Sequence, residues 1–86
     1  MQFEKKSLKF LENYLNTASP TSFEQNGQQI WCEYISPFVD KIEVDHYGTA
    51  YGIINPDADF KVVIEAHADE ISWYVNYITD EGLIYV

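Results

Sequence analysis

Apolar residues along the first third of the chain recur with helical spacing. Phe3, Leu8, Leu11 and Leu15 fall on one stripe, Phe10 and Tyr14 lie beside it, and Lys5, Lys6, Lys9 and Glu12 lie mostly off it. This predicts an amphipathic helix over residues 3–17. The segment Asn16-Thr17-Ala18-Ser19-Pro20 ends it, because Pro20 drives Ser19 out of helical geometry. A second helix is predicted from Thr21-Ser22-Phe23-Glu24, with Thr21 as N-cap and Glu24 closing a capping box. Phe23, Ile30, Trp31 and Tyr34 continue its apolar face, Gly27 permits close packing, and Pro37 stops it near Ser36.

From Lys41 the period changes to two. Ile42 and Val44 alternate with Glu43 and Asp45, and residues 42–54 read as a hairpin turning near Tyr47-Gly48. Asn55-Pro56-Asp57-Ala58-Asp59 reads as a turn. The consecutive Val62, Val63 and Ile64 predict a strand buried on both faces. After His67-Ala68-Asp69-Glu70, residues 73–79 read as another strand, Asp80-Glu81-Gly82 as a tight turn, and Leu83–Val86 as a last strand. The expected fold class is α/β, with two N-terminal helices followed by about five strands in a single domain over residues 1–86. An apolar strand at Val86 without a neighbour is an exposed edge. The expectation is a chain continued elsewhere, or an edge covered by another copy.

Composition narrows the function classes. The 86 residues are 47% hydrophobic and 16% aromatic, enough for a folded chain. Fourteen acids against five bases give a net charge of −9, which disfavours nucleic acid and anionic membrane surfaces and attracts cations. The single cysteine, Cys32, excludes an internal disulfide and reads as a small packed residue. The N-terminus has no apolar stretch of signal-peptide length, and no run approaches a membrane span, so a cytoplasmic location is expected. The sequence contains no phosphate loop, no nucleotide-binding glycine pattern and no CxxC, and Ser72 lacks a nucleophile-elbow context.

The strand end at His67 carries the candidate chemistry. A neutral imidazole is a common zinc ligand, and its second ring nitrogen needs an acceptor such as a carboxylate. Asp69 stands two residues on and can be that acceptor if the backbone turns; Glu70 either assists or faces water. One histidine does not make a site, since zinc takes three or four protein ligands. His46 falls at the hairpin turn as a surface residue, and Asp57, Asp59, Asp80 and Glu81 read as solvated turn acids.

Taken in order, these motifs resemble the N-terminal part of the glutamyl and deblocking aminopeptidases, the tetrahedral aminopeptidase family of dinuclear metallopeptidases. The family's Pro-Ser-Gly-aromatic-Glu segment is matched by Pro20-Thr21-Ser22-Phe23-Glu24. Its Val-x-x-Asp-x-x-Gly-Asn hairpin is matched by Ile42 and Asp45-His46-Tyr47-Gly48-Thr49. Its Ala-His-Met-Asp-Glu-Ile-Gly motif is matched by Ala66-His67-Ala68-Asp69-Glu70-Ile71-Ser72. Ile42, Thr49, Ser22 and Ser72 depart from the family's valine, asparagine and two glycines. The likeness runs from about Leu8 to Val86.

The resemblance implies a partial αβα zinc-exopeptidase-like catalytic domain with a mixed sheet, His67 as a metal ligand and Asp69 as the catalytic carboxylate that orients it. It also implies two divalent ions, zinc or cobalt, in the full-length enzyme, a peptide substrate and a homo-oligomer. The family's bridging aspartate, general-base glutamate and remaining ligands belong to a later part of the catalytic domain. The 86 residues alone are therefore expected to be inactive and to bind metal weakly at best. An alternative from a different class is a free-standing α/β interaction module whose Trp73, Tyr74, Tyr77 and Tyr85 meet a protein partner.

Overall fold

A computed structural model describes residues 2–86. Two α-helices, α1 (Lys5–Leu15) and α2 (Gln25–Ile35), and a short 3-10 turn (Ser36–Phe38) precede four strands: β1 (Lys41–Val44), β2 (Ala50–Ile53), β3 (Tyr77–Ile78) and β4 (Ile84–Tyr85). The class is mixed α/β, as expected. The strands are fewer than the five expected. They form two separate antiparallel pairs, β1–β2 and β3–β4, rather than one mixed sheet. The parallel element among the described residues is a single bridge between Pro20 and Glu70.

Helix α1 ends where Asn16 and Thr17 turn back on it. Asn16 donates both its N–H, at 3.0 Å, and its Nδ2, at 2.8 Å, to the Glu12 carbonyl, and Thr17 Oγ1 donates at 2.8 Å to the Asn13 carbonyl, which the last turn leaves free. The face that α1 turns to α2 is the flank of the leucine stripe. Phe10 stacks on Tyr34 with centroids 4.0 Å apart, and the Ser7 and Tyr34 hydroxyls share a hydrogen bond of 3.1 Å. Leu8, Leu11 and Leu15 stay exposed, because no described element lies across them.

Helix α2 starts at Gln25, later than the capping-box pattern predicts, because the left-handed backbone at Ser22 cannot continue into a helix; the Thr21 hydroxyl, the expected cap, donates to Asp69. Ser22 adopts φ 75° and gives its N–H to Glu24 Oε1 at 2.7 Å. At the other end Pro37 falls in the 3-10 turn, which ends the helical stretch as predicted.

The β1–β2 hairpin pairs Lys41 with Ile53 through Val44 with Ala50. Its loop turns at Gly48, which has φ 86°, and Asp45 Oδ1 accepts the N–H groups of Tyr47 and Thr49, each at 2.9 Å. The β3–β4 loop repeats the device with Thr79 in place of Asp45 and Gly82, φ 85°, in place of Gly48. Both are turns closed by a left-handed glycine, the geometry that short hairpins favour. Helix α2 and the segment after it sit on the first hairpin at Gly52, where a Cβ would lie 2.7 Å from Ile35 Cδ1 and 2.9 Å from Val39 Cγ1.

The buried strand expected at residues 62–64 does not form. Val62, Val63 and Ile64 are 76%, 82% and 95% exposed. A run apolar on both faces needs neighbours on both sides, and the described residues provide none. No apolar side chain among them is buried; Ser19, 3% exposed, is the buried polar residue. The radius of gyration is 17.4 Å, against about 12 Å for a compact chain of this length. The accessible surface of 7914 Å² compares with about 5,200 Å² for a compact protein of this mass. No helix among the described residues is long and apolar enough to cross a membrane.

Candidate functional site

The segment Ala66–Glu70 lies against the short link between α1 and α2, and hydrogen bonds hold it there. Ser19 is the hub. Its N–H donates to Glu70 Oε1 at 3.0 Å, its carbonyl accepts the Glu70 N–H at 2.9 Å, and its hydroxyl donates to the Ala68 carbonyl at 2.9 Å. Tyr14 Oη donates to the same Ala68 carbonyl at 3.2 Å. Gly27 on α2 makes room for this hub, because a Cβ there would stand 3.1 Å from Ser19 Oγ and 3.3 Å from Ser19 Cβ. Glu70 thus has a structural role: its carboxylate holds the link. Beyond it, Tyr74 Oη donates to the Thr21 carbonyl at 3.1 Å and the Tyr74 ring lies 6.0 Å from Phe23.

On this platform the structure brings His67 and Asp69 together. Nδ1 of His67 lies 3.0 Å from Asp69 Oδ1 and 3.0 Å from the Asp69 carbonyl oxygen. An ionised carboxylate and a carbonyl are acceptors only, so neutral His67 carries its proton on Nδ1 and has its lone pair on Nε2. The second carboxylate oxygen, Oδ2, accepts a hydrogen bond of 2.6 Å from Thr21 Oγ1. The Thr21 hydroxyl, and then His67, hold the Asp69 carboxyl below the usual carboxylate range. The His67 side chain is 86% exposed, so its Nε2 edge is accessible.

A shallow cleft of about 250 Å³ lies beside the pair, with Glu24 and Gln28 from α2, Gly48 and Thr49 from the first hairpin loop, and His67 and Asp69 on its walls. Gln28 Nε2 donates to the Gly48 carbonyl and ties that loop to α2. Three stretches separate in sequence therefore meet at the candidate site.

The remaining candidates stay apart from it. His46 is exposed on the hairpin loop, and Asp57, Asp59, Asp80 and Glu81 are exposed in turns. Cys32 is half-buried on α2, and burial, then the charge of Glu33, pushes its thiol pKa up, away from thiolate chemistry. Burial, followed by the charge of Glu70, raises the Tyr14 hydroxyl as well. Among the described residues no three His, Cys, Asp or Glu side chains are grouped to hold a metal ion. The donor chemistry of His67 fits zinc or cobalt, but as one ligand, where a zinc centre needs three or four.

The two residues paired by sequence spacing, His67 and Asp69, are in contact, while the contacts of Ser19, Tyr14 and Thr21 with this segment have no counterpart in local spacing. The spacing of Thr21 to Glu24 points to a helix cap, and nothing local marks its partner 48 residues away. Compared with known protein families, curated proteins and solved structures, the chain matches none.

Proposed function

We propose that this chain is the N-terminal portion of the catalytic domain of a metal-dependent aminopeptidase, in which His67 Nε2 is one metal ligand and Asp69 orients the imidazole. The observation that carries the reading is the 3.0 Å contact from His67 Nδ1 to Asp69 Oδ1, made at the motif where the family resemblance implies a ligand and its orienting carboxylate. Two divalent ions, zinc or cobalt, would activate the water that cleaves the N-terminal peptide bond. This chain's own part is narrower. Asp69 keeps the proton on Nδ1, and the Ser19 and Glu70 contacts hold the backbone of the motif against the interhelical link. The remaining ligands and the general base come from other residues of a longer polypeptide.

The exposed apolar surface accords with that reading, because further chain, and a homo-oligomer contact, would cover it. A free-standing interaction module would also use that surface, but it gives no reason for an oriented histidine. The test is hydrolysis of an aminoacyl anilide with added zinc or cobalt. The 86-residue chain is expected to be inactive. The native polypeptide containing it is expected to release N-terminal residues, with activity lost in His67→Ala. Stoichiometric activity of the isolated chain, lost in His67→Ala, would overturn the partial-site reading. A native polypeptide whose activity survives that substitution would overturn the ligand assignment.

A further inference from the structure

The Asp69 carboxylate has two oxygens and can rotate about its side-chain bonds. For it to hold the proton on His67 Nδ1, one oxygen must stay aimed at that nitrogen. In this structure the other oxygen is held by Thr21 Oγ1 at 2.6 Å, a short contact to a hydroxyl. Thr21 belongs to the link between α1 and α2, and the backbone there is anchored twice. The Ser19 carbonyl takes the Glu70 N–H at 2.9 Å, and the Pro20 carbonyl takes the Phe23 N–H at 2.8 Å. The hydroxyl is therefore presented from a fixed backbone rather than from a free loop.

We infer that Thr21 is a positioning residue: its hydroxyl locks the Asp69 carboxylate, which in turn keeps His67 in the Nδ1–H tautomer with Nε2 bare. The inference rests on the proposed reading of His67 as a ligand and adds the residue that prepares that ligand. The chain of contacts runs Thr21 Oγ1–H to Asp69 Oδ2, and Asp69 Oδ1 to His67 Nδ1–H. The Asp69 carbonyl, also 3.0 Å from Nδ1, shares that proton, and the hydroxyl has no second hydrogen bond at the site. Thr21 stands three residues before Glu24, the N-cap of α2, so its hydroxyl serves the carboxylate and not the helix.

The test is nitrogen-15 NMR of the histidine rings at about pH 9, where an imidazole is neutral. Protonated and bare ring nitrogens have well-separated shifts, so the spectrum reads the tautomer directly. It needs neither metal nor hydrolysis, so its outcome is independent of the aminopeptidase reading. His46, exposed on the hairpin loop, serves as the internal reference for an unconstrained ring.

The wild-type chain is expected to show His67 predominantly protonated on Nδ1. Thr21→Val, which keeps the shape and removes the hydroxyl, is expected to shift the His67 tautomer ratio several-fold toward that of His46. Thr21→Ser restores the hydroxyl and is expected to restore the ratio. Tyr74→Phe removes a neighbouring docking bond to the Thr21 carbonyl without touching the carboxylate, and is expected to leave the ratio unchanged. The inference is overturned if wild-type His67 matches His46, if Thr21→Val leaves the ratio in place, or if Tyr74→Phe shifts it as far as Thr21→Val does.

Discussion

Replacing Gly27 with alanine tests whether the site is held by packing at Ser19. Gly27 sits in the first turn of α2, and alanine there improves helix propensity by at most about 1 kcal/mol. Against this, the new Cβ would stand 3.1 Å from Ser19 Oγ, 3.3 Å from Ser19 Cβ and 3.5 Å from Tyr14 Cε2. Ser19 cannot retreat without breaking bonds, because its N–H, carbonyl and hydroxyl are all committed to Ala68 and Glu70. Crowding of this kind costs about 1–3 kcal/mol. The balance is a loss of about 1 kcal/mol, felt where Ser19 holds the His67 segment rather than within the helix. The assay is amide hydrogen exchange at Glu70, whose N–H is bonded to the Ser19 carbonyl. Gly27→Ala is expected to speed that exchange by about fivefold, the rate factor for 1 kcal/mol, while circular dichroism shows helix content unchanged or higher. Slower or unchanged exchange at Glu70 together with higher helix content would refute the reasoning, since it would mean that Ser19 is not confined between α2 and the motif.

Three further outcomes follow from backbone and charge. Ser22 holds φ 75° without being glycine, so Ser22→Gly is expected to steady the link by about 1 kcal/mol, read as slower exchange of the Phe23 amide bonded to Pro20. Gly48 has φ 86° with open space around it, so Gly48→Ala costs about 1 kcal/mol through backbone strain alone and is expected to weaken cross-strand contacts between Glu43 and Tyr51 in NMR spectra. The Glu43 carboxyl is held below the usual carboxylate range, first by Lys41 and then by the Tyr51 hydroxyl. Its contribution to the hairpin is therefore present above the ordinary glutamate value of about 4.3 and is lost as pH falls through its lowered value. Acid titration is expected to loosen the β1–β2 pair at its Lys41–Glu43–Tyr51 face, and Glu43→Gln is expected to abolish that pH dependence.

The legible parts of the fold were those whose signals act over a few residues. Both helices follow from 3.6-residue spacing, and Pro37 and the Gly48 and Gly82 turns from local backbone preferences. What could not be read depends on neighbours. Val62, Val63 and Ile64 carry the pattern of a buried strand, yet a strand exists only where another lies beside it. Spacing puts the α1 leucines on one stripe, but that stripe is exposed and the packed face is its flank, because Tyr34 of α2 meets Phe10 there. The site divides in the same way. His67 and Asp69 are two residues apart, so their pairing is visible in sequence. Ser19, Thr21 and Tyr14 lie about fifty residues from the groups they contact, and local spacing carries no trace of those contacts.

The proposed role of the His67 motif, as part of a larger catalytic domain, has a direct consequence for the size of the native protein. The most direct measurement is the mass of the native species in cells that produce this protein, detected with an antibody raised against residues 1–86. A polypeptide several times larger than 10.0 kDa is expected, long enough to provide the other metal ligands and to cover the exposed strands. A native species of about 10.0 kDa would contradict it and would make the chain a module that functions without a complete metal centre.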